Sequence, residues 1–176
     1  MKNQGIKFGL IYGGISIILF AIVCWTNPKA MTDITSWRSI VGTIVMIVCM
    51  FLAARKTRDA KGGFIPFGEA FIPPFITYVI GSLIGVLFLY ILFNFVDPSL
   101  LEIMVEGMVE LQESILEKAG MSEDQRVQVL EEFEEKMDNP YSPGSLAIMF
   151  FTNLFTIDVP VSAIIAAIVK KKEPSV

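Results

Sequence analysis

Four long apolar stretches alternate with segments rich in charged residues along this 176-residue chain. The stretch from Phe75 to Val96 contains no charged residue. About twenty apolar residues in an α-helix cross the roughly 30 Å hydrocarbon core of a bilayer. The pattern therefore predicts an all-α integral membrane protein, a four-helix bundle forming a single domain over residues 1–176. The predicted spans are about 6–26, 37–54, 75–96 and 145–169.

The polar segment 97–140, between the third and fourth predicted spans, has the pattern of two amphipathic helices. Asp97, followed by a proline, is typical of a helix start, and Gly120 is typical of a helix end. Ser122 together with Gln125 resembles a capping box that opens a second helix. Because the segment is acidic and not apolar enough to cross a bilayer, we predict a helical hairpin outside the membrane.

The segment Phe64–Pro74 precedes the third span and is apolar, but it contains Glu69 and three prolines. A proline removes a hydrogen bond from a helix interior and tends to break the helix. We therefore expect this segment to lie along the membrane surface as a short amphipathic lead-in, with the third span beginning near Phe75.

Basic residues are distributed unequally between the two sides of the predicted membrane. Cytoplasmic segments carry an excess of Lys and Arg, so we predict that both termini are cytoplasmic and that the hairpin is extracytoplasmic. The loop 55–61 also offers positive charges to anionic lipid headgroups. With this orientation, nine of the fourteen basic residues are cytoplasmic: Lys2, Lys7, Arg55, Lys56, Arg58, Lys61, Lys170, Lys171 and Lys172.

The composition excludes several classes of chemistry. The chain has no histidine, which rules out a Ser–His–Asp triad, a Cys–His pair and zinc sites with imidazole ligands. Cys24 and Cys49 lie in different spans, near opposite sides of the membrane, so we expect buried thiols and no disulfide. A net charge of −4 argues against nucleic acid as a partner. We predict no catalytic, cofactor-binding or metal site, and no enzyme activity.

Asp158 is an acidic residue near the middle of the fourth predicted span. A carboxylate at that depth costs several kcal/mol, which makes it a candidate proton- or ion-binding group. The structural alternative is a helix cap, because Pro160 leaves backbone groups unpaired that Asp158 could satisfy. For a protonated or hydrogen-bonded Asp158, hydroxyl groups lie near the centres of other spans, at Ser16, Thr43 and Ser82.

Glycines recur at every fourth position in two of the predicted spans. This spacing allows helix backbones to approach closely. The first and third spans run in the same direction in the predicted topology, so the glycines serve either packing within one chain or a seam between two copies. They are Gly5, Gly9 and Gly13 in the first span, and Gly81 and Gly85 in the third.

The basic loop and the residues after it carry a family resemblance, in the runs Arg55–Asp59 (RKTRD) and Gly62–Phe71 (GGFIPFGEAF), followed by a span that ends at Asp97. The chain resembles the domain of unknown function 4199 family over nearly its whole length. The resemblance implies a small four-span protein of the bacterial inner membrane, found mainly in Bacteroidota, with an exported insert between spans three and four. It implies no activity. Paired prolines at 73–74 depart from the family pattern.

Two functional hypotheses follow from these features. The first is a non-enzymatic membrane subunit, scaffold or sensor, whose partners are membrane lipids and either further copies of itself or another membrane protein. The second is a small transporter or ion-coupled channel subunit that uses Asp158 at the bilayer midplane.

Overall fold

The computed structural model describes residues 3–27, 37–136 and 140–171, and these residues form helices and no β-sheet. Four helices are long and apolar enough to cross a membrane. The prediction of an all-α protein with four membrane-spanning helices is therefore confirmed. The helices are α1 (Gln4–Thr26), α2 (Trp37–Ala60), α3 (Phe67–Val96), α4 (Ser99–Lys118), α5 (Glu123–Lys136) and α6 (Pro143–Val169).

The third long helix begins at Phe67, so the segment expected to be a separate lead-in is helical from that residue and continuous with the span. The level at which this helix enters the membrane stays a prediction. Pro73 and Pro74 lie inside α3, where both are buried. Proline has a fixed φ that suits a helix, and neighbouring groups in a membrane bundle can compensate for its missing N–H. Nearby, the hydroxyl of Thr77 donates to the carbonyl of Pro73 at 2.9 Å and to that of Gly5 at 3.2 Å, which joins α3 to α1.

The last long helix begins at Pro143, two residues before the predicted position. Ser142 is the N-cap, and its hydroxyl accepts a hydrogen bond from the backbone N–H of Ser145 at 3.3 Å. Proline at the first helical position costs no hydrogen bond. The cap therefore extends the helix beyond its apolar stretch.

Helices α1 and α3 pack most closely along a row that we call the glycine seam. A Cβ added to Gly9 would lie 2.7 Å from the Cβ of Ile80, a distance that real Cβ atoms do not adopt. The backbones therefore approach because the glycines have no side chain. In the seam Gly5, Gly9 and Gly13 face Ile76, Ile80 and Ile84.

The two other predicted packing glycines differ from each other. Gly81 packs against the ring of Tyr12, which would lie 2.1 Å from an added Cβ. Gly85 has no atom within 4 Å of that position among the described residues, so it makes no close contact within the chain, and its use in a seam between two copies stays a prediction. Helices α1 and α3 still approach at this level, because Ile84 faces Gly13.

One end of the bundle, which we call the basic end, joins the start of α3 to the end of α6. The backbones of Ile65 and Lys171 exchange two hydrogen bonds, of 2.9 and 3.0 Å. Lys61 forms an ion pair with Glu69 beside them. Gly62 and the glycine after it adopt positive φ angles in the turn between α2 and α3. These contacts place the basic loop and the last described residues on one side.

The opposite end, which we call the hairpin end, is held by a buried aromatic cluster. Phe93 is 1% exposed, and its ring centroid lies 4.2 Å from that of Tyr141. Met104 of α4 and Phe20 of α1 belong to the same cluster. Burial raises the pKa of Tyr141 to about 12, although the positive charge of Arg38 opposes the shift. The cluster joins the first turns of α4 to the spans.

Two helices, α4 and α5, occupy the segment predicted as a hairpin. Gly120 has a φ of +76° at the turn between them, where residues with a side chain are disfavoured. The N–H of Ser122 donates to the side chain of Gln125 at 3.2 Å, which is one half of the predicted capping box. The predicted end of this hairpin at 137–139 and the link at 28–36 lie outside the described residues.

Candidate functional site: a buried carboxylate and a polar cleft

Asp158 is fully buried in the middle of α6, at the end of a π-helical turn formed by Leu154–Asp158. The N–H of Val159 donates to the carbonyl of Leu154, five residues back. The turn lies just before Pro160, which has no N–H to donate. Such single π turns inside α-helices occur frequently at functional sites. The backbone is therefore irregular where the chain places its buried acid.

Of the two oxygens of the Asp158 carboxyl group, only one has a hydrogen-bond partner among the described residues. Its Oδ1 accepts a hydrogen bond of 2.8 Å from the hydroxyl of Ser162, which is also fully buried. Its Oδ2 has no hydrogen-bond partner among the described residues. Tyr78 of α3 lies close enough to interact electrostatically with Asp158. The group therefore faces the interior of the bundle rather than lipid.

This geometry does not support the helix-cap alternative. The side chain of Asp158 makes no cap hydrogen bond to the helix segment that follows it. The three hydroxyls that we expected near the span centres do not bind it either, because each donates to a carbonyl of its own helix. Ser16 donates to Gly13, Thr43 to Ser39 and Ser82 to Tyr78. The residue that binds the carboxyl group is Ser162, one turn further along α6.

Between Asp158 and the hairpin end, the bundle opens into what we call the polar cleft. It consists of two adjoining cavities of about 350 and 490 Å³. Helices α1, α2, α3 and α6 all contribute to it. The two cavities share four lining residues: Tyr12, Ser16, Arg38 and Asn153.

The polar side chains of this cleft differ in their contacts. Arg38 extends over the ring of Phe20, with its guanidinium carbon 5.3 Å from the ring centroid. The side chains of Tyr12, Tyr78 and Asn153 have no hydrogen bond to the described residues. Tyr78 is buried, whereas Tyr12 and Asn153 are partly exposed.

A third cavity, of about 510 Å³, lies at the basic end. It is lined by Gln4 of α1, Thr57 of α2 and Glu69 of α3, among others. Along each of these helices, residues nearer the hairpin end line the polar cleft. Thr77 of α3, between these two sets of residues, is fully buried. Among the described residues no part of α6 lines this third cavity, whereas Ile157, the neighbour of Asp158, lines the polar cleft. Asp158 is therefore a buried group at the border of the cleft.

The sequence pattern indicated Asp158 and the hydroxyls of Ser16, Thr43 and Ser82, which line the cleft, but it did not indicate Tyr12, Tyr78 or Asn153. A signal was present, because Tyr12 and Ser16 are four residues apart, as are Tyr78 and Ser82. Residues at that spacing share one helix face, so each pair marks a polar face within an apolar span. Asn153 had no comparable signal.

Metal chemistry receives no support from the described residues. They contain no group of three or more His, Cys, Asp or Glu side chains placed to hold a metal ion. Cys24 and Cys49 lie in different helices and do not form a disulfide.

The four apolar helices define a multi-pass helical membrane protein. The family described as "Protein of unknown function (DUF4199)" matches residues 7–171, nearly the whole chain. The chain belongs to this family, as the resemblance at the basic loop indicated. No curated protein and no solved structure matches it.

Proposed function

We propose that this protein is a small ion-coupled membrane subunit in which Asp158 binds and releases a proton inside the bundle. The observation that carries the proposal is the position of Asp158, fully buried beside the polar cleft, with one carboxyl oxygen unpaired among the described residues. Acidic groups inside membrane bundles mark ion and proton pathways. Neither the side chains around Asp158 nor its backbone gives it a capping role.

The surroundings of Asp158 have the parts that a proton-binding site needs. Ser162 donates to one carboxyl oxygen, and the other oxygen is available for a proton. Tyr78 interacts electrostatically with Asp158 and also lines the polar cleft. The π turn and Pro160 weaken the backbone ladder of α6 at this level, so a change of charge on Asp158 acts on a deformable part of the helix.

We further propose that the protein resides in a bacterial inner membrane with the basic end in the cytoplasm. Helices α2 and α6 end at this side, and so do the described cations of the loop 55–61 and Lys170 and Lys171. This orientation follows the positive-inside rule and places α4 and α5 outside. Transport or sensing requires no bond-breaking chemistry, so we propose no enzyme activity.

The test is proton uptake into liposomes that contain the purified protein, followed with an internal pH dye under an imposed membrane potential. We expect Asp158→Asn to remove the uptake while the protein keeps its oligomeric state and unfolding temperature, because Asn has nearly the same shape. Asp59→Asn, which changes an exposed carboxylate at the basic end, is the matched control. Equal uptake in Asp158→Asn and in the unchanged protein would refute the proposal.

A second candidate function is a scaffold or sensor that contacts another protein through α4 and α5. Apolar residues at helical spacing form one face of each of these helices, and on those faces Ile115 and Val127 are 51% and 49% exposed. An exposed apolar side chain of this kind is available for contact with another protein. A photo-crosslinking amino acid at Ile115, used in native membranes, tests this function. Recovery of a defined neighbour, absent when the label stands at exposed Glu106 instead, would favour the scaffold.

The glycine seam is occupied within the chain, so a homo-oligomer would use a different face.

A further inference from the structure

We infer that the polar cleft is a water-filled path from the hairpin end to Asp158, and that an apolar barrier separates Asp158 from the basic end. The path rests on the proposed function and deepens it, because it concerns the side of the membrane with which Asp158 exchanges its proton. Three observations support it: the polar lining of the cleft, the contacts of Tyr78 and the apolar packing beyond Asp158.

The lining and the size of the cleft suit water. A cavity holds water when it has room for the molecules and polar groups to bind them. Cavities of about 350 and 490 Å³ each have room for on the order of ten water molecules. Arg38, which is stacked over Phe20, also lies in the lining but is not a step of the path. The hydroxyl and amide groups that can bind the water come from three helices, at Tyr12, Ser16, Ser82 and Asn153.

Tyr78 connects the cleft to Asp158. It lines the cleft, and it interacts electrostatically with both Tyr12 and Asp158. Asn153 provides a second connection along α6. The π turn bonds backbone groups five residues apart, so it brings residues at that spacing, such as Asn153 and Asp158, toward one face of the helix. The carboxyl group is therefore a neighbour of the cleft lining on two helices, α3 and α6.

Between Asp158 and the basic end, the bundle is packed with apolar side chains. Met46 and Tyr78 line the cleft and also belong to a buried hydrophobic cluster, so this cluster forms the floor of the cleft. Along α6 it extends to Val169, about 16 Å from Asp158 at 1.5 Å per residue. Close-packed apolar interiors leave no room for a chain of water molecules. Members that are at most 4% exposed include Met50, Ala54, Ala70, Ile165, Ala166 and Val169.

The two sides of Asp158 are therefore unequal in this conformation. The proton exchanges with the hairpin side through the cleft. Its passage to the basic end requires the apolar cluster to separate, because a proton does not cross a dry hydrophobic layer without polar groups to carry it.

The experiment measures how fast single cysteines react with a cationic methanethiosulfonate reagent that does not cross membranes. The full-length protein is placed in vesicles of either orientation, after Cys24→Ser and Cys49→Ala have removed the native thiols. The probe position is Asn153→Cys in the cleft. Phe155→Cys, which is 68% exposed on the outside of the same helix, is its matched control.

Two further variants report which side the reagent reaches. They are Glu106→Cys in α4 and Lys56→Cys near the basic end, both at exposed positions. With these controls the result does not depend on the predicted orientation of the protein in the cell.

We expect Asn153→Cys to react from the hairpin side about tenfold or more faster than Phe155→Cys, because the reactive thiolate forms in water and not in hydrocarbon. From the basic side Asn153→Cys should not react. Ala54→Cys, within the apolar cluster, should react from neither side. After modification, Asn153→Cys should take up protons more slowly than before, because the adduct fills the path. If Asn153→Cys does not fold, Ser16→Cys takes its place, since it lines both cavities.

Three results would overturn the inference. Equal rates for Asn153→Cys and Phe155→Cys from the hairpin side would show that the cleft is dry. Reaction of Ala54→Cys, or of Asn153→Cys from the basic side, would show that the barrier is open. Proton uptake that is unchanged by the adduct would show that the proton takes another path.

The same measurements separate this inference from the proposed function. A dry cleft in a protein whose uptake depends on Asp158 would overturn the path and leave the proposed function in place. A reactive Asn153→Cys in a protein whose uptake is the same in Asp158→Asn would refute the proposed function and leave the water-filled cleft.

Discussion

Helices α1 and α3 form the glycine seam and also contribute to the polar cleft, together with α2 and α6, yet the seam is closed and the cleft is open. In the seam, Gly9 brings the backbones so near that a methyl group would collide with Ile80. In the cleft, Gly85 has the same spacing from its neighbouring glycine but nothing within 4 Å. Small residues therefore permit close packing but do not produce it. What differs is the partner: isoleucines fill the seam, whereas polar side chains line the cleft.

The largest effect that sharpens this comparison is expected for Gly9→Ala. The added methyl group overlaps Ile80, and overpacking of this kind costs about 1–3 kcal/mol. Reversible unfolding in mixed detergent micelles would measure the loss. A free energy of unfolding equal to that of the unchanged protein would show that the seam is looser than its distances indicate.

The second effect concerns Tyr141 and the cluster that closes the hairpin end. Burial raises the pKa of its phenol from 10.0 to about 12, so the folded state favours the neutral form. This stability is fully present below pH 10 and is lost as the pH rises through about 12. We expect a loss on the order of 1–2 kcal/mol over this window. Tyr141→Phe should show a flatter profile of unfolding free energy against pH. Identical profiles for the variant and the unchanged protein would show that the phenol of Tyr141 does not cause the loss of stability.

The third effect concerns the hydroxyl of Thr77, which links α3 to α1 beside the glycine seam. Thr77→Val keeps the shape of the side chain but removes the donor that bonds the carbonyls of Gly5 and Pro73. The expected loss in unfolding free energy is about 1 kcal/mol, the usual net value of one hydrogen bond. Ser82→Ala in the cleft is the matched control, because its hydroxyl bonds only its own helix. A loss as large for Ser82→Ala would remove the distinction between the two regions.

The smallest effect is expected for Gly85→Ala, since the added methyl group meets no atom within 4 Å. Its unfolding free energy should stay within about 0.5 kcal/mol of the unchanged protein, as for most substitutions away from packed features. Measured beside Gly9→Ala, it provides the same chemical change in the open region. A large loss at Gly85 would show that α1 and α3 close further than the structure indicates.

The sequence was sufficient to predict the spans because each depends on local composition. Twenty apolar residues between charged segments have few alternatives to a membrane helix, as the run from Phe75 to Val96 illustrates. The start of α3 was missed because Pro73 and Pro74 look like helix breakers along the chain. Both prolines are buried, and Pro73 lies against Gly5 of α1, which is a contact between helices and not a local property of the sequence.

The site could be predicted only in part for a similar reason. Asp158 stands out because any charge in the middle of a span is unusual. Its partner Ser162 lies on its own helix, but the choice of Ser162 over Ser16 or Ser82 depends on which faces meet in three dimensions. The cleft depends on how α1, α2, α3 and α6 pack together, and the regular spacing of glycines gives no sign of that arrangement.

The paired backbones of Ile65 and Lys171 have a mechanical consequence for α3 and α6. Two hydrogen bonds fix these helices to each other at one extremity. When two helices that are joined at one end tilt relative to each other, their opposite ends move the most. Any such tilting would therefore widen or narrow the gap between Ser82 and Asn153 while the joined extremity stays in place.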